Sequence, residues 1–198
     1  MITSEPCRLV DTEGPTGMVP ALRPDDKHPL HAAYARAFGL RTWVETGTHE
    51  GHSTEAMLRS GLIDRAITME IGEHYREACR QLFRGNRRVT VIEDGSATAL
   101  PGVLASLEGP ALFWLDAHAG DLRGDVSLFP LRQELAALEA WGTARPEWFA
   151  RSCVLVDDAR FLGHGHYPTV EDVFLALAGL DVCELRDDIV RAHPKEST

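Results

Sequence analysis

Residues 40–54, Leu-Arg-Thr-Trp-Val-Glu-Thr-Gly-Thr-His-Glu-Gly-His-Ser-Thr, constrain the fold more than any other stretch of this chain. A short apolar run ends in Glu45 and breaks into a loop with glycines at Gly47 and Gly51. Ser53 and Thr54 then open an amphipathic stretch, Thr54-Glu55-Ala56-Met57-Leu58-Arg59. That order reads as strand, glycine turn and helix N-terminus, the first crossover of a nucleotide-binding α/β sheet. Glycine lets backbone approach a ligand where a Cβ would collide, and the first helical amides offer donors to it. The spacing E-x-G-x-x-x-G-x-S differs from the dinucleotide fingerprint G-x-G-x-x-G. A carboxylate just before the turn repels a pyrophosphate but suits an ammonium or sulfonium group. That points away from NAD and towards S-adenosylmethionine (SAM), with Glu45, Gly47, Gly51 and Ser53 as cofactor contacts. The bland alternative is an ordinary βα turn.

Four more apolar runs end in polar residues. Ala66-Ile67-Thr68-Met69 ends in Glu70, about 25 residues after Glu45. An acid at a second strand tip is placed to accept from both ribose hydroxyls, the alternative being a solvated strand-end charge. Val89-Thr90-Val91-Ile92 gives way to Glu93-Asp94-Gly95-Ser96, Ala111–Leu115 ends in Asp116, and Val154-Leu155-Val156 ends in Asp157-Asp158. Helical patterns alternate with these runs near 51–60, 73–84, 97–107, 127–141 and 169–178. Pro130 falls in the first turn of the fourth, and Thr169 with Asp172 forms a capping-box pattern at the fifth. The runs Asp181–Leu185 and Ile189–Ala192 flank Arg186-Asp187-Asp188 so closely that they pair only as an antiparallel hairpin. The expected fold is therefore α/β and Rossmann-like: a mostly parallel seven-stranded sheet with an antiparallel C-terminal strand and helices on both faces.

Residues 1 to about 27 are rich in proline and glycine and read as an extended arm, and Pro29–Phe38 carries helical spacing stopped by Gly39. That segment either caps the site or only packs. The expected division is an arm and cap helix over 1–39 and a SAM-binding domain over 40–198. With 198 residues, 44% of them hydrophobic, the chain can bury one substantial core. A net charge of −10 without a basic cluster argues against nucleic-acid or anionic-membrane partners. No run approaches the roughly 20 apolar residues a membrane span needs, and no signal-peptide segment opens the chain. The four cysteines lack C-x-x-C spacing, so reduced thiols in a cytoplasmic protein are expected.

Asp116, Asp157 and Asp158 end adjacent runs. If the strands are neighbours, three like charges converge, and hard oxygen ligands suit Mg²⁺ or another divalent ion that acidifies a substrate hydroxyl. The alternative is that Asp158 caps a turn and only Asp116 reaches the pocket. His118, two residues past Asp116, is the candidate general base, or else a surface loop histidine. His164 and His166 line the pocket or face water, while His28, His31, His49 and His52 read as structural or solvent-facing.

Glu45–Ser53 resembles the first motif of the metal-dependent small-molecule O-methyltransferases, with Glu70, Asp116 and Asp157-Asp158 falling at that group's ribose acid and metal carboxylates. The strings Trp114-Leu115-Asp116-Ala117-His118 and Asp157-Asp158-Ala159-Arg160 resemble a bacterial class I subgroup related to the macrocin O-methyltransferases. The resemblance spans about residues 40 to 192. It implies SAM, a divalent metal on Asp116, Asp157 and Asp158, and a base at His118. One departure is Asp94-Gly95-Ser96 where the group has Gly-Asp-Ser, so the adenine contact falls to Asp94 or to backbone at Gly95 and Ser96. The expected activity is methyl transfer to a hydroxyl of a small-molecule acceptor, by an enzyme of a type that often forms homodimers. The alternatives are a metal-free N-methyltransferase, whose carboxylates hold an amine, and a non-catalytic SAM-binding scaffold.

Overall fold

The computed structural model describes residues 24–117 and 129–195. The chain begins with helix α1 (Pro24–Ala37), then alternates β1 (Thr42–Thr46), α2 (His52–Arg59), β2 (Arg65–Met69), α3 (Glu73–Leu82), β3 (Val89–Ile92), α4 (Ser96–Ser106) and β4 (Leu112–Leu115). Helices α5 (Leu131–Ala144) and α6 (Pro146–Phe149) precede β5 (Cys153–Val156) and a 3-10 turn over Ala159–Phe161. Helix α7 (Val170–Ala176) leads to the hairpin of β6 (Val182–Arg186) and β7 (Ile189–His193).

The strand order is β3-β2-β1-β4-β5-β7-β6. The first five are mutually parallel, and β7 runs antiparallel to both β5 and β6. The seven-stranded sheet expected from the sequence is the one present. Period-2 alternation builds its two cores. Val44, Phe113, Leu115, Val154 and Val156 face one cluster with side chains of α4, α5 and α7. Trp43, Leu112, Trp114, Cys153 and Leu155 face the other, against α1, α2 and α3. Trp43, Phe113 and Trp114 are fully buried, and each contributes roughly 2–3 kcal/mol in apolar area removed from water.

Some boundaries differ from the sequence pattern. Helix α1 starts at Pro24 and carries Pro29 inside it, where the sequence spacing places its beginning. Pro130 is the N-cap of α5 rather than part of its first turn, and that helix continues to Ala144. The short α6 was not expected, though Pro146 at its first position is a start signal. At α7 the capping box is made in full: Asp172 N–H donates to Thr169 Oγ1 at 3.1 Å, and Thr169 N–H donates to Asp172 Oδ2 at 2.9 Å. The hairpin turns through Asp187 and Asp188, both at positive φ (52° and 64°), the backbone pair that a tight two-residue turn requires. Among the described residues, no helix is long and apolar enough to cross a membrane.

Candidate active site at the strand tips

The strand order reverses between β1 and β4, the switch point where open α/β sheets form their ligand crevice. Gly47 sits at that point with φ +77°, and a Cβ there would lie 2.5 Å from the Asp116 carbonyl oxygen. Only glycine lets the β1 loop close on the β4 tip. The Gly47 and Thr48 amides donate to Met69 O at 3.0 and 3.1 Å, which ties the same loop to the end of β2. Gly51, at φ +83°, would place a Cβ 2.9 Å from Leu82 and 3.1 Å from Phe83, so α2 starts directly against the end of α3.

On the β1–β2 side the carboxylates meet neutral donors. Glu45 is 2% exposed. Its Oε2 accepts from Thr54 Oγ1 at 2.6 Å and from Thr68 Oγ1 at 2.8 Å. Trp43 Nε1 donates to Thr54 Oγ1 at 2.9 Å, and the Thr48 and Thr68 hydroxyls are hydrogen-bonded. A hydroxyl has one proton to give. Two relays, Trp43–Thr54 and Thr48–Thr68, therefore converge on one carboxyl oxygen. Burial pushes the Glu45 carboxyl up to about 7, with the threonine bonds opposing it. Glu70 stands at the β2 tip, buried, where His49 N–H donates to Oε2 at 2.7 Å and Gly72 N–H to Oε1 at 2.6 Å. Those two bonds leave lone pairs on each oxygen for further donors. His49 is exposed and stacks on Tyr75 at 4.0 Å between ring centroids. Asp94 is exposed and accepts from the Gly95 amide at 2.7 Å, Gly95 is the N-cap of α4, and Ser96 begins that helix, buried. Ser53 lies in the first turn of α2, half-buried.

On the β4–β5 side the carboxylates meet cations. The Lys27 ammonium pairs with Asp157, whose side chain is 2% exposed, and it lies 5.7 Å from the centre of the Trp114 ring. Burial raises the Asp157 pKa, Lys27 opposes that shift, and Asp158 adds to it. Asp158, at φ +55°, accepts from Arg160 at 2.7 Å, and the same guanidinium pairs with Asp188 of the hairpin turn. Arg160 N–H also donates to Asp188 Oδ1 at 2.6 Å, and Ala159 N–H to Asp188 O at 2.8 Å. Asp116 is half-buried, its amide 3.2 Å from the carbonyl of Thr46.

The metal site expected on Asp116, Asp157 and Asp158 is not shown among the described residues. Two of them carry basic partners, and among the described residues no three metal-ligating side chains converge. His118 lies outside the described residues. Of the other histidines, His164 and His166 are exposed, and His166 lines a cleft of about 230 Å³ with Phe129, Arg132, Gln133 and Gly165. His31 is fully buried between Trp43 and Trp114, with centroids 5.0 and 4.2 Å away, and burial lowers its pKa to about 3.

Several polar groups at the site were missed by sequence reasoning. Thr54 and Thr68 hold Glu45, and Lys27 and Asp188 complete the acidic edge. Glu134 of α5 is 1% exposed, and burial pushes its carboxyl up to about 7 despite the facing Ser96 and Thr46 hydroxyls. Tyr167 is buried, with its phenol pushed up to about 12 by burial and by the Asp158 and Asp116 charges. A hydrophobic-face position on a helix gives no warning of a carboxyl such as Glu134. The one available signal was the acid in the first turn of α5, which helix capping explains equally well.

Neither a protein-family model nor a curated protein sequence matches this chain. Solved structures do match. The methyltransferase PaMTH1 of Podospora anserina, bound to SAH, superposes with a TM-score of 0.58 at 17% identity, over 88% of this chain and 80% of that one. The N-methyltransferase NodS of Bradyrhizobium japonicum WM9 gives 0.54 at 13% identity, over 86% of this chain and 96% of its own. A putative caffeoyl-CoA O-methyltransferase of Staphylococcus aureus gives 0.52 at 15%, over 81% and 71%. At such identities the likeness shows the fold, which is that of the class I SAM-dependent methyltransferases.

Proposed function

We propose that the chain is a SAM-dependent methyltransferase acting on a hydroxyl of a small molecule. One observation carries the reading: in a class I methyltransferase fold, the crevice between β1 and β4 has an amide-held carboxylate, Glu70, at the next strand tip. SAM supplies a methyl already activated on sulfonium, so the protein's task is positioning. Glu70 accepts from the ribose hydroxyls with its remaining lone pairs. Glu45 and Gly47 serve the methionine end, where a cationic ligand would favour the ionised form of Glu45. Gly51 and Ser53 bring the α2 N-terminus to the same end, and Asp94, Gly95 and Ser96 border the adenine. Asp116 stands at the joint between cofactor and acceptor. An acceptor oxygen forms the new C–O bond as the C–S bond breaks with its electrons to sulfur, leaving SAH. The hydroxyl proton departs to a base, for which sequence position nominates His118.

A divalent ion on Asp116, Asp157 and Asp158 does not fit the donor set as folded, because Lys27 and Arg160 already hold two of the three carboxylates. No step is routed through a metal. A second reading is an amine acceptor held by carboxylates at this edge, in line with the N-methyltransferase among the structural neighbours. The arm and cap helix over 1–39 and the domain over 40–198 remain our division of the chain, with a cytoplasmic location, a homodimer and no nucleic-acid or membrane partner as the accompanying readings. Calorimetry against SAM, followed by an acceptor screen scored by SAH release, tests the assignment. Binding without SAH from any alcohol or amine would identify a scaffold instead, and SAH from amines alone would select N-methylation.

A further inference from the structure

The acidic edge of the crevice carries its own cation. Lys27 and His31 are one helical turn apart on α1, and both lie on Trp114, the residue two before Asp116. His31 is buried between two tryptophans, so the turn that presents Lys27 is anchored by packing. The ammonium at its end meets Asp157, a carboxylate that has no exposure to trade for hydration. Asp158 is taken by Arg160, which Asp188 holds from the other side. A divalent ion here would rest on one or two carboxylates and several waters, since among the described residues no group of three His, Cys, Asp or Glu side chains converges to hold one. An ammonium needs one carboxylate and a π face, and both are present.

We propose that Lys27 takes the place of a divalent cation at the β4–β5 tips, so that the charge an acceptor oxygen meets at this edge is a tethered ammonium and the reaction needs no metal. The proposal rests on the methyltransferase reading, and Lys27 acts as a positioning residue that neutralises Asp157. Removing the ammonium should create the cation site that it now fills. Mn²⁺ titration of the full chain, read by electron paramagnetic resonance, compares wild type with Lys27→Met and with Lys27→Met/Asp157→Asn. Wild type should leave Mn²⁺ free, Lys27→Met should bind one equivalent at least tenfold more tightly, and the added Asp157→Asn should abolish that gain. Stoichiometric uptake by wild type that Asp157→Asn removes would overturn the proposal, as would a folded Lys27→Met variant that gains nothing. If Lys27→Met fails to fold, wild-type SAH formation decides: an unchanged rate in EDTA supports the proposal, and loss of turnover restored by Mn²⁺ overturns it. Calorimetry with SAM keeps the two claims separate, because absent SAM binding defeats the methyltransferase reading whatever Mn²⁺ does.

Discussion

Glu45 and Glu70 on the β1–β2 side of the crevice are buried against hydroxyls and backbone amides, whereas Asp157 and Asp158 on the β4–β5 side are buried against an ammonium and a guanidinium. The first arrangement is local, since every donor comes from α2, β2 and the turns that follow β1 and β2. The second is assembled from afar: Lys27 and Asp157 are 130 residues apart, and Asp188 reaches Arg160 from the terminal hairpin. Neutral donors fix a carboxylate without cancelling its charge, which suits a cationic ligand. Basic partners cancel the charge and suit an acceptor that arrives neutral. The two sides touch at Gly47, where the β1 loop lies on the Asp116 carbonyl.

Breaking that joint should have the largest effect. Gly47→Val puts a branched side chain at φ +77° with its Cβ 2.5 Å from Asp116 O. Overpacking and backbone strain together predict a loss of about 3 kcal/mol in denaturant unfolding and SAM affinity reduced at least a hundredfold. Near-wild-type binding in this variant would mean the crevice lies elsewhere. Glu70→Ala removes a carboxylate from the cofactor side only and should weaken SAM by about 1.5–3 kcal/mol, roughly ten- to a hundredfold. Asp157→Ala is the matching cut on the other side and should leave SAM affinity within about twofold. Equal losses from both would erase the division between the sides.

The pH dependence of stability should divide in the same way. His31 is neutral in the fold, its pKa lowered to about 3, so its contribution is present above 6.5 and is lost as pH falls towards 3. Its share of the slope is up to about 1.4 kcal/mol per pH unit, and His31→Phe should remove it. Glu45 works in the opposite sense. With a folded pKa raised to about 7, its contribution is present below 4.5 and is lost as pH rises through 7. Glu45→Gln should flatten the slope across that window while leaving the acid limb in place. Denaturant midpoints measured from pH 4 to 8 check both, and a His31→Phe curve parallel to wild type would refute the burial of His31 as a neutral imidazole. The smallest effect belongs to Asp94, exposed and, among the described residues, bonded to its neighbour's amide. Asp94→Ala should cost about 0.5–1 kcal/mol of SAM affinity, a few-fold change. A loss as large as that of Glu70→Ala would move the main cofactor anchor to the β3 tip.

What could be read from the sequence follows the same line of near and far. Each parallel strand announced itself as an apolar run with a polar tip, and the hairpin announced itself through Asp187-Asp188 between β-rich runs. Thr169 and Asp172 were readable as a capping box because both partners lie within one turn. Glu45 was legible as a strand-tip acid, but not its burial, because Thr68 lies on a different strand and its hydroxyl is directed by pairing register. Lys27 was invisible for a stronger reason. An ion pair across 130 residues leaves no period or spacing, and Pro29 suggested that the helix began after it. The acidic trio was read as a charge problem awaiting a metal because the basic partners that balance it come from α1 and from a side chain two residues past Asp158.

The interleaved order of the last three strands bears on how the chain can be made. β6 is synthesised before β7, yet its one neighbour in the sheet is β7, which also pairs with β5. Until the ribosome has released Ile189–His193, the open side of β5 has no partner and β6 has nothing to join. β6 thus enters the sheet through β7, and the strand that links it to β5 is the one whose turn carries Asp188 to Arg160. A nascent chain stalled before residue 189 would have β1, β2, β3 and β4 to pair but no β7 to set Asp188 against Arg160.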